Sequence, residues 1–91
     1  MKNYSLIKSP SEVQLELAHR FREIRRNRKI SQSQLADKSG VSLGSIKRFE
    51  QTGQISLESL LKLARLFDRL SDFETLFKID TDLQEIAKLF S

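Results

Sequence analysis

Serine stands at regular breaks in this chain: Ser9, Ser31, Ser42 and Ser56 each precede a stretch whose apolar residues fall at helical spacing. A serine hydroxyl in the N-cap position accepts one of the backbone N–H groups that open a helix, so this punctuation divides the chain into short helices. Ser9-Pro10-Ser11-Glu12 is the strongest of these starts. Pro10 takes the first helical position, where its missing N–H costs nothing, and Glu12 closes a capping box. The stripe Val13, Leu17, Phe21 and Ile24 continues it, which predicts a first helix from about Pro10 to Asn27.

Ser31-Gln32-Ser33-Gln34 opens a second helix with Leu35 and Ala36 inward, and Gly40 sits where a left-handed residue would end it. Ser42 caps a third helix carrying Ile46 and Phe49, which stops before Gly53. Ser56 caps a fourth with Leu57, Leu60, Leu61, Ala64 and Phe67. Ser71-Asp72-Phe73-Glu74 opens a short fifth with Phe73, Leu76 and Phe77, and Thr81-Asp82-Leu83-Gln84 a last one with Leu83, Ile86, Ala87 and Phe90. Only Tyr4-Ser5-Leu6-Ile7 admits an extended arm or edge strand. With three Gly and one Pro in 91 residues, turns are few, and the expected class is all-α.

A chain of 91 residues holds one small core. No apolar run approaches the ~18 residues needed to span a bilayer, and MKNYSLIKSP lacks the apolar centre of a signal peptide. Cysteine is absent, which removes disulfides, thiolate metal sites and a thiol nucleophile and accords with a reducing cytoplasm. The lone His19 is expected on the surface, and no serine has a His/Asp partner pattern, so neither catalysis nor a metal or cofactor site is expected. Asp80 and Asp82 lack the Gly and Glu of a calcium loop and are expected to cap a helix.

Charge is uneven along the chain. Residues 8–48 hold ten basic and four acidic side chains, whereas residues 49–91 hold five basic and eight acidic ones. Six of the ten residues from Arg20 to Lys29 are basic. Alone, such a run is a solvated helix face. It gains meaning beside Gln32–Glu50, QSQLADKSGVSLGSIKRFE, where two short helices meet at the tight turn Ser39-Gly40-Val41. Ala36 permits close approach, and Val41, Ile46 and Phe49 lock the pair. A helix pair fixed this way is a helix-turn-helix, whose second helix fits a DNA major groove.

The pattern Ile24-Arg25, Ser31-Gln32-x-x-Leu35-Ala36, Gly40-Val41-Ser42, Ile46, Glu50, Gly53, Leu60 and Ala64 resembles the Xre-type helix-turn-helix regulators, the group of the phage Cro and cI repressors. The resemblance spans about residues 15–70. It implies a five-helix lambda-repressor-like domain over residues 10–70, an arm at 1–9, and a short C-terminal helical extension at 71–91 that serves dimerisation. It further implies a cytoplasmic homodimer that binds a double-stranded DNA operator, probes sequence and regulates transcription, as a repressor and without catalysis. Short chains of this shape also resemble HipB antitoxins, which partner HipA-like kinases, and this is the alternative. An adaptor that has lost DNA contact is favoured only by Leu43 and Gly44.

Site roles follow from the same resemblance. Gln32 matches the glutamine that contacts phosphate and buttresses the recognition helix. Ser42 matches its cap and donates to backbone or a base edge. Leu43, Gly44, Ser45, Lys47 and Arg48 lie on or near the presented face, and because phage repressors carry polar residues at the first two sites, base reading shifts to Ser45, Lys47 and Arg48. Leu43 is left a thymine methyl, and Gly44 a close backbone approach. Arg25 and Arg28 come from the basic run, with Arg25 expected to pair with Glu50 and still reach phosphate. Gln51, Gln54 and the helix start at Ser56 resemble a second phosphate contact. Lys29 stands where the family often has Gly.

Overall fold

The computed structural model describes residues 7–79 and 88–89. Among these the chain forms five helices and no strand: α1 (Pro10–Asn27), α2 (Gln32–Ser39), α3 (Leu43–Thr52), α4 (Leu57–Leu66) and α5 (Ser71–Glu74). The arm at Tyr4–Leu6, the helix start at Thr81 and the capping by Asp80 and Asp82 lie outside the described residues.

All four serine caps form. Ser9, Ser31, Ser42 and Ser56 each accept the N–H three residues on, from Glu12, Gln34, Ser45 and Ser59. At Ser9 and Ser31 the third residue's side chain returns the bond, so both capping boxes close. Ser71 does not cap. It is the first helical residue of α5, Leu70 stands before it in helical conformation, and no side chain covers the open N–H groups. That helix ends at Glu74, and Phe77 takes a left-handed φ of 63°. The expected longer fifth helix through Leu76 and Phe77 is therefore corrected to a single turn, with both side chains exposed.

α3 packs against α1 and α2, and α2 also against α4. Ala18 and Phe21 of α1, Leu35 of α2, Val41 of the turn, Ile46 and Phe49 of α3, Leu63 of α4 and Phe67 form the core. Phe21 stands at its centre, with ring centroids 5.5 Å from Phe49 and 5.4 Å from Phe67, both tilted. Tilted pairs set the positive edge of one ring against the negative face of another, worth about 0.5–1.5 kcal/mol each beyond area burial.

Two apolar stripes sit lower on their helices than spacing alone suggests. In α1, Val13 and Leu17 are exposed, and the buried residues are Ala18, Phe21 and Arg25. In α4, Leu57 is exposed and Leu63 is fully buried. Val13 and Leu57, in the first turns, keep their periodic positions but stay exposed, and Leu17 borders a cleft with Phe21, Ile24 and Leu60.

The turn after α1 accounts for Lys29. Its φ is 56°, left-handed, while the Ile30 N–H reaches back to the Arg25 carbonyl at 3.2 Å. This is the six-to-one closure of a helix C-terminus, which favours Gly at the residue Lys29 occupies.

Candidate nucleic-acid interface

The helix pair α2–α3 is joined by Gly40, left-handed at φ 79°, followed by Val41, which is buried. Ser42 then restarts the chain. Its Oγ accepts the Ser45 N–H at 3.1 Å and donates its own hydrogen to Ser45 Oγ at 2.8 Å. The cap hydroxyl is thereby spent within the first turn, and the outward donor is the Ser45 hydroxyl.

α3 has two unlike faces. Ile46, Phe49 and Glu50 are buried. Gly44, Lys47 and Arg48 are exposed, Leu43 and Ser45 half-buried, and Gln51 exposed on the last turn. Nothing lies within 4 Å of a Cβ built on Gly44, so the outer face is open at that point. Lys47 has no hydrogen-bond or ion-pair partner among the described residues.

The inner face is anchored by charge. Arg25 Nε donates to Glu50 Oε2 at 2.7 Å and Nη2 to Glu50 Oε1 at 2.9 Å, a bidentate fork. The third nitrogen, Nη1, donates to the Ile30 carbonyl at 2.9 Å. Gln32 Nε2 adds a bond to Glu50 Oε1 at 3.0 Å. The two charged side chains are only 11% and 4% exposed. One carboxylate therefore ties α1, α2 and α3 together, and no buried side-chain polar atom among the described residues lacks a partner. Each of Arg25's three nitrogens makes one of these bonds, and together they brace α3 from behind. Arg22, one turn earlier in α1, stands 4.0 Å from Glu50 Oε1 with its side chain 46% exposed. Its three-residue spacing from Arg25 was the available signal in the sequence.

Arg28 is exposed near the end of α1 and meets Phe67. Its guanidinium stacks over the Phe67 ring, 5.0 Å from the centroid, and Nη2 donates to the Phe67 carbonyl at 3.3 Å. Cation–π contact and carbonyl together hold it to the end of α4.

On α3, Arg48 is an exposed cation held by a neighbouring side chain. Its Nε donates to Gln54 Oε1 at 3.0 Å, and Nη2 converges on the same oxygen. Ser45, Arg48, Gln54 and Ser56 line one cleft together with Ile55 and Ser59. Ser56 is the cap of α4, so the N–H groups of that helix's first turn open beside the cleft. The structure thus brings Ser45, Arg48, Gln54 and Ser56 to one place, keeps Gln32 behind α3 as a brace, and sets Arg25 and Arg28 elsewhere. Thr52 ties two of the cleft's residues together: its Oγ1 donates to the Arg48 carbonyl at 2.7 Å and accepts the Gln54 N–H at 3.1 Å. A threonine four residues after a helical carbonyl is the signal for such a bond.

Among the described residues, no helix is long and apolar enough to cross a membrane, and no group of three or more His, Cys, Asp or Glu could hold a metal ion. A family model described as helix-turn-helix matches residues 21–73, from the second half of α1 through α5. Neither a curated protein nor a solved structure matches the chain.

Proposed function

The chain belongs to the Cro/cI-type helix-turn-helix family, the Xre family, and on that premise we propose that it is a cytoplasmic, dimeric, operator-binding repressor whose recognition helix is α3. The observation that carries this reading is the division of α3. Its inner face is fixed by Ile46, Phe49 and the Glu50–Arg25 fork, while Gly44, Lys47 and Arg48 face solvent. A helix held so firmly from behind can enter a major groove without reorienting, so little ordering has to accompany binding.

Roles on the outer face follow from chemistry. Arg48 carries a planar fork suited to guanine O6 and N7, and Ser45 offers a hydroxyl. Lys47, a compact charge, suits phosphate. Leu43 meets a thymine methyl, and Gly44 lets backbone and DNA approach. Gln51 and the α4 start at Ser56 flank this face on the side of the phosphate strands, where backbone N–H groups attract anions, while Gln32 and Ser42 hold the two helix starts and Gln54 adjoins Arg48.

Dimerisation draws on the extension. Leu76 and Ile79 are 55% and 71% exposed, Phe77 is fully exposed, and Leu89 is 81% exposed. So much apolar surface over so few residues suits a two-fold interface, which sets two recognition helices about 34 Å apart. Light scattering at micromolar concentration gives a dimer; monomer alone, with and without DNA, sinks that part of the reading.

The DNA reading is tested by selection from a randomised duplex pool, followed by titration over a salt series. A two-fold motif emerges, and Lys47→Ala weakens binding evenly across sequences with the salt slope reduced by about one. A reporter placed behind the selected motif is silenced when the chain is supplied. An unenriched pool, or binding without salt dependence, refutes the assignment.

A further inference from the structure

The C-terminal end of α3 does more than stop the helix. Gly53 follows it with φ 80°, and a Cβ there would stand 2.8–2.9 Å from Gln14 backbone atoms, so the turn is seated directly on α1. Thr52 closes the turn on both sides, donating to the Arg48 carbonyl and accepting from the Gln54 N–H. The direction in which Gln54 leaves the helix is therefore set by backbone, hydroxyl and a neighbouring helix, not by its own exposed side chain. It folds back along the last turn of α3, and its Oε1 receives both Nε–H and an Nη2–H of Arg48.

A guanidinium has two donor edges. The side edge pairs Nε–H with one Nη2 hydrogen, and the end edge pairs the other Nη2 hydrogen with one on Nη1. Gln54 occupies the side edge and leaves the end edge open. We infer that Gln54 is a positioning residue for sequence recognition: it holds Arg48 so that only the end edge is offered to DNA, as a fork spaced for O6 and N7 of one guanine. This rests on the reading of α3 as the recognition helix.

The physical gain is pre-organisation. An unrestrained arginine on an exposed helix face samples many rotamers and meets phosphates as readily as base edges. With its side edge engaged, Arg48 enters the groove already aimed, and its rotational freedom is lost on folding instead of on binding. Gln54 in turn directs its amide oxygen to Arg48, which turns its amide N–H groups away from the guanidinium.

The test uses the full chain and a randomised duplex pool, with wild type, Arg48→Ala, Gln54→Ala, Gln54→Glu and the Arg48→Ala/Gln54→Ala double variant. Both side chains are exposed, and far-UV circular dichroism verifies that every variant keeps its helices. Wild type enriches guanine at one position of each half-site. Arg48→Ala and Gln54→Ala each lose that preference, by about tenfold or more in relative affinity, and keep the rest of the motif. The double variant is no worse than Arg48→Ala alone. Gln54→Glu retains the guanine preference, because a carboxylate oxygen accepts the same two donors, and binds all sequences more weakly by charge repulsion. Even loss across all sequences for Gln54→Ala, with the guanine preference intact, makes Gln54 a phosphate contact and overturns the inference. Additive losses in the double variant overturn it too, as does an unchanged motif for Arg48→Ala. Failure of the wild type itself to enrich any motif overturns the reading of α3, and is told apart because it precedes any substitution.

Discussion

Gly53 and Gln14 meet without a side chain between them: a Cβ on Gly53 would stand 2.8 Å from the Gln14 carbonyl carbon and 2.9 Å from its oxygen and Cβ. Real Cβ atoms do not approach so closely, and the residue is also left-handed at φ 80°. Gly40 shares the left-handed conformation at φ 79° but has open space around it.

The two glycines therefore separate two costs. Gly40→Ala carries the left-handed penalty alone, about 1–2 kcal/mol. Gly53→Ala adds the displacement of α1 and costs more, with the melting temperature falling by about 4–8 °C per kcal/mol in a domain this small. Thermal unfolding of both variants decides it, and equal losses would mean that α1 yields freely at this contact.

Removing one partner of the Arg25–Glu50 fork leaves the other charge buried without its bidentate partner. Arg25→Met and Glu50→Ala each lower stability by about 3–5 kcal/mol in urea unfolding. Arg25→Lys does not rescue it, since an ammonium cannot fill both carboxylate oxygens and the Ile30 carbonyl in one plane. A loss below about 1 kcal/mol for Arg25→Met, the level of an exposed pair, contradicts the bracing role.

Lys29 holds a left-handed position that glycine occupies without steric cost. Lys29→Gly is expected to raise stability by about 0.5–1 kcal/mol, the relief of backbone strain outweighing the greater freedom glycine gives the unfolded chain. An unfolding midpoint that moves downward shows that the Lys29 side chain earns its place by a contact of its own.

Glu16 is held below the ordinary glutamate range, first by its hydrogen bond with Lys8 and further by the charges of Lys8 and Arg20. Its Oε2 lies 2.7 Å from Lys8 Nζ, and Arg20 Nη2 lies 3.3 Å from Oε1. Because the folded value is depressed, the contribution is present at neutral pH and is lost as pH falls through that value. In an NMR titration Lys8→Ala moves the Glu16 midpoint upward, toward an unperturbed glutamate. An unmoved midpoint removes Lys8 as the cause.

The serine caps were legible because capping is settled within four residues. Each of the four cap sites formed where it was read, and the α1, α2 and α3 boundaries followed. Burial was less legible. Spacing tells which residues share a helix face, but not how far along the helix that face finds a partner: Val13, Leu17 and Leu57 stand at helical spacing yet are exposed, and Leu63 is fully buried. The Glu50 fork was foreseen through family resemblance, whereas the commitment of all three Arg25 nitrogens depends on where the Ile30 carbonyl falls after a left-handed Lys29. Likewise, the meeting of Gln54 with Arg48 requires a turn whose direction is imposed by Gln14, far off in sequence.

Gly44 sits on the solvent face of α3 with nothing near the place a side chain would fill. As the second residue of α3, in the turn capped by Ser42, it costs the helix less than the roughly 0.5–1 kcal/mol of an interior glycine, and an alanine there meets no neighbour. Most surfaces that touch a ligand trade stability for change; this position asks for no such trade. It is an unwritten letter in the first turn of α3, where a side chain can be added without displacing any neighbour.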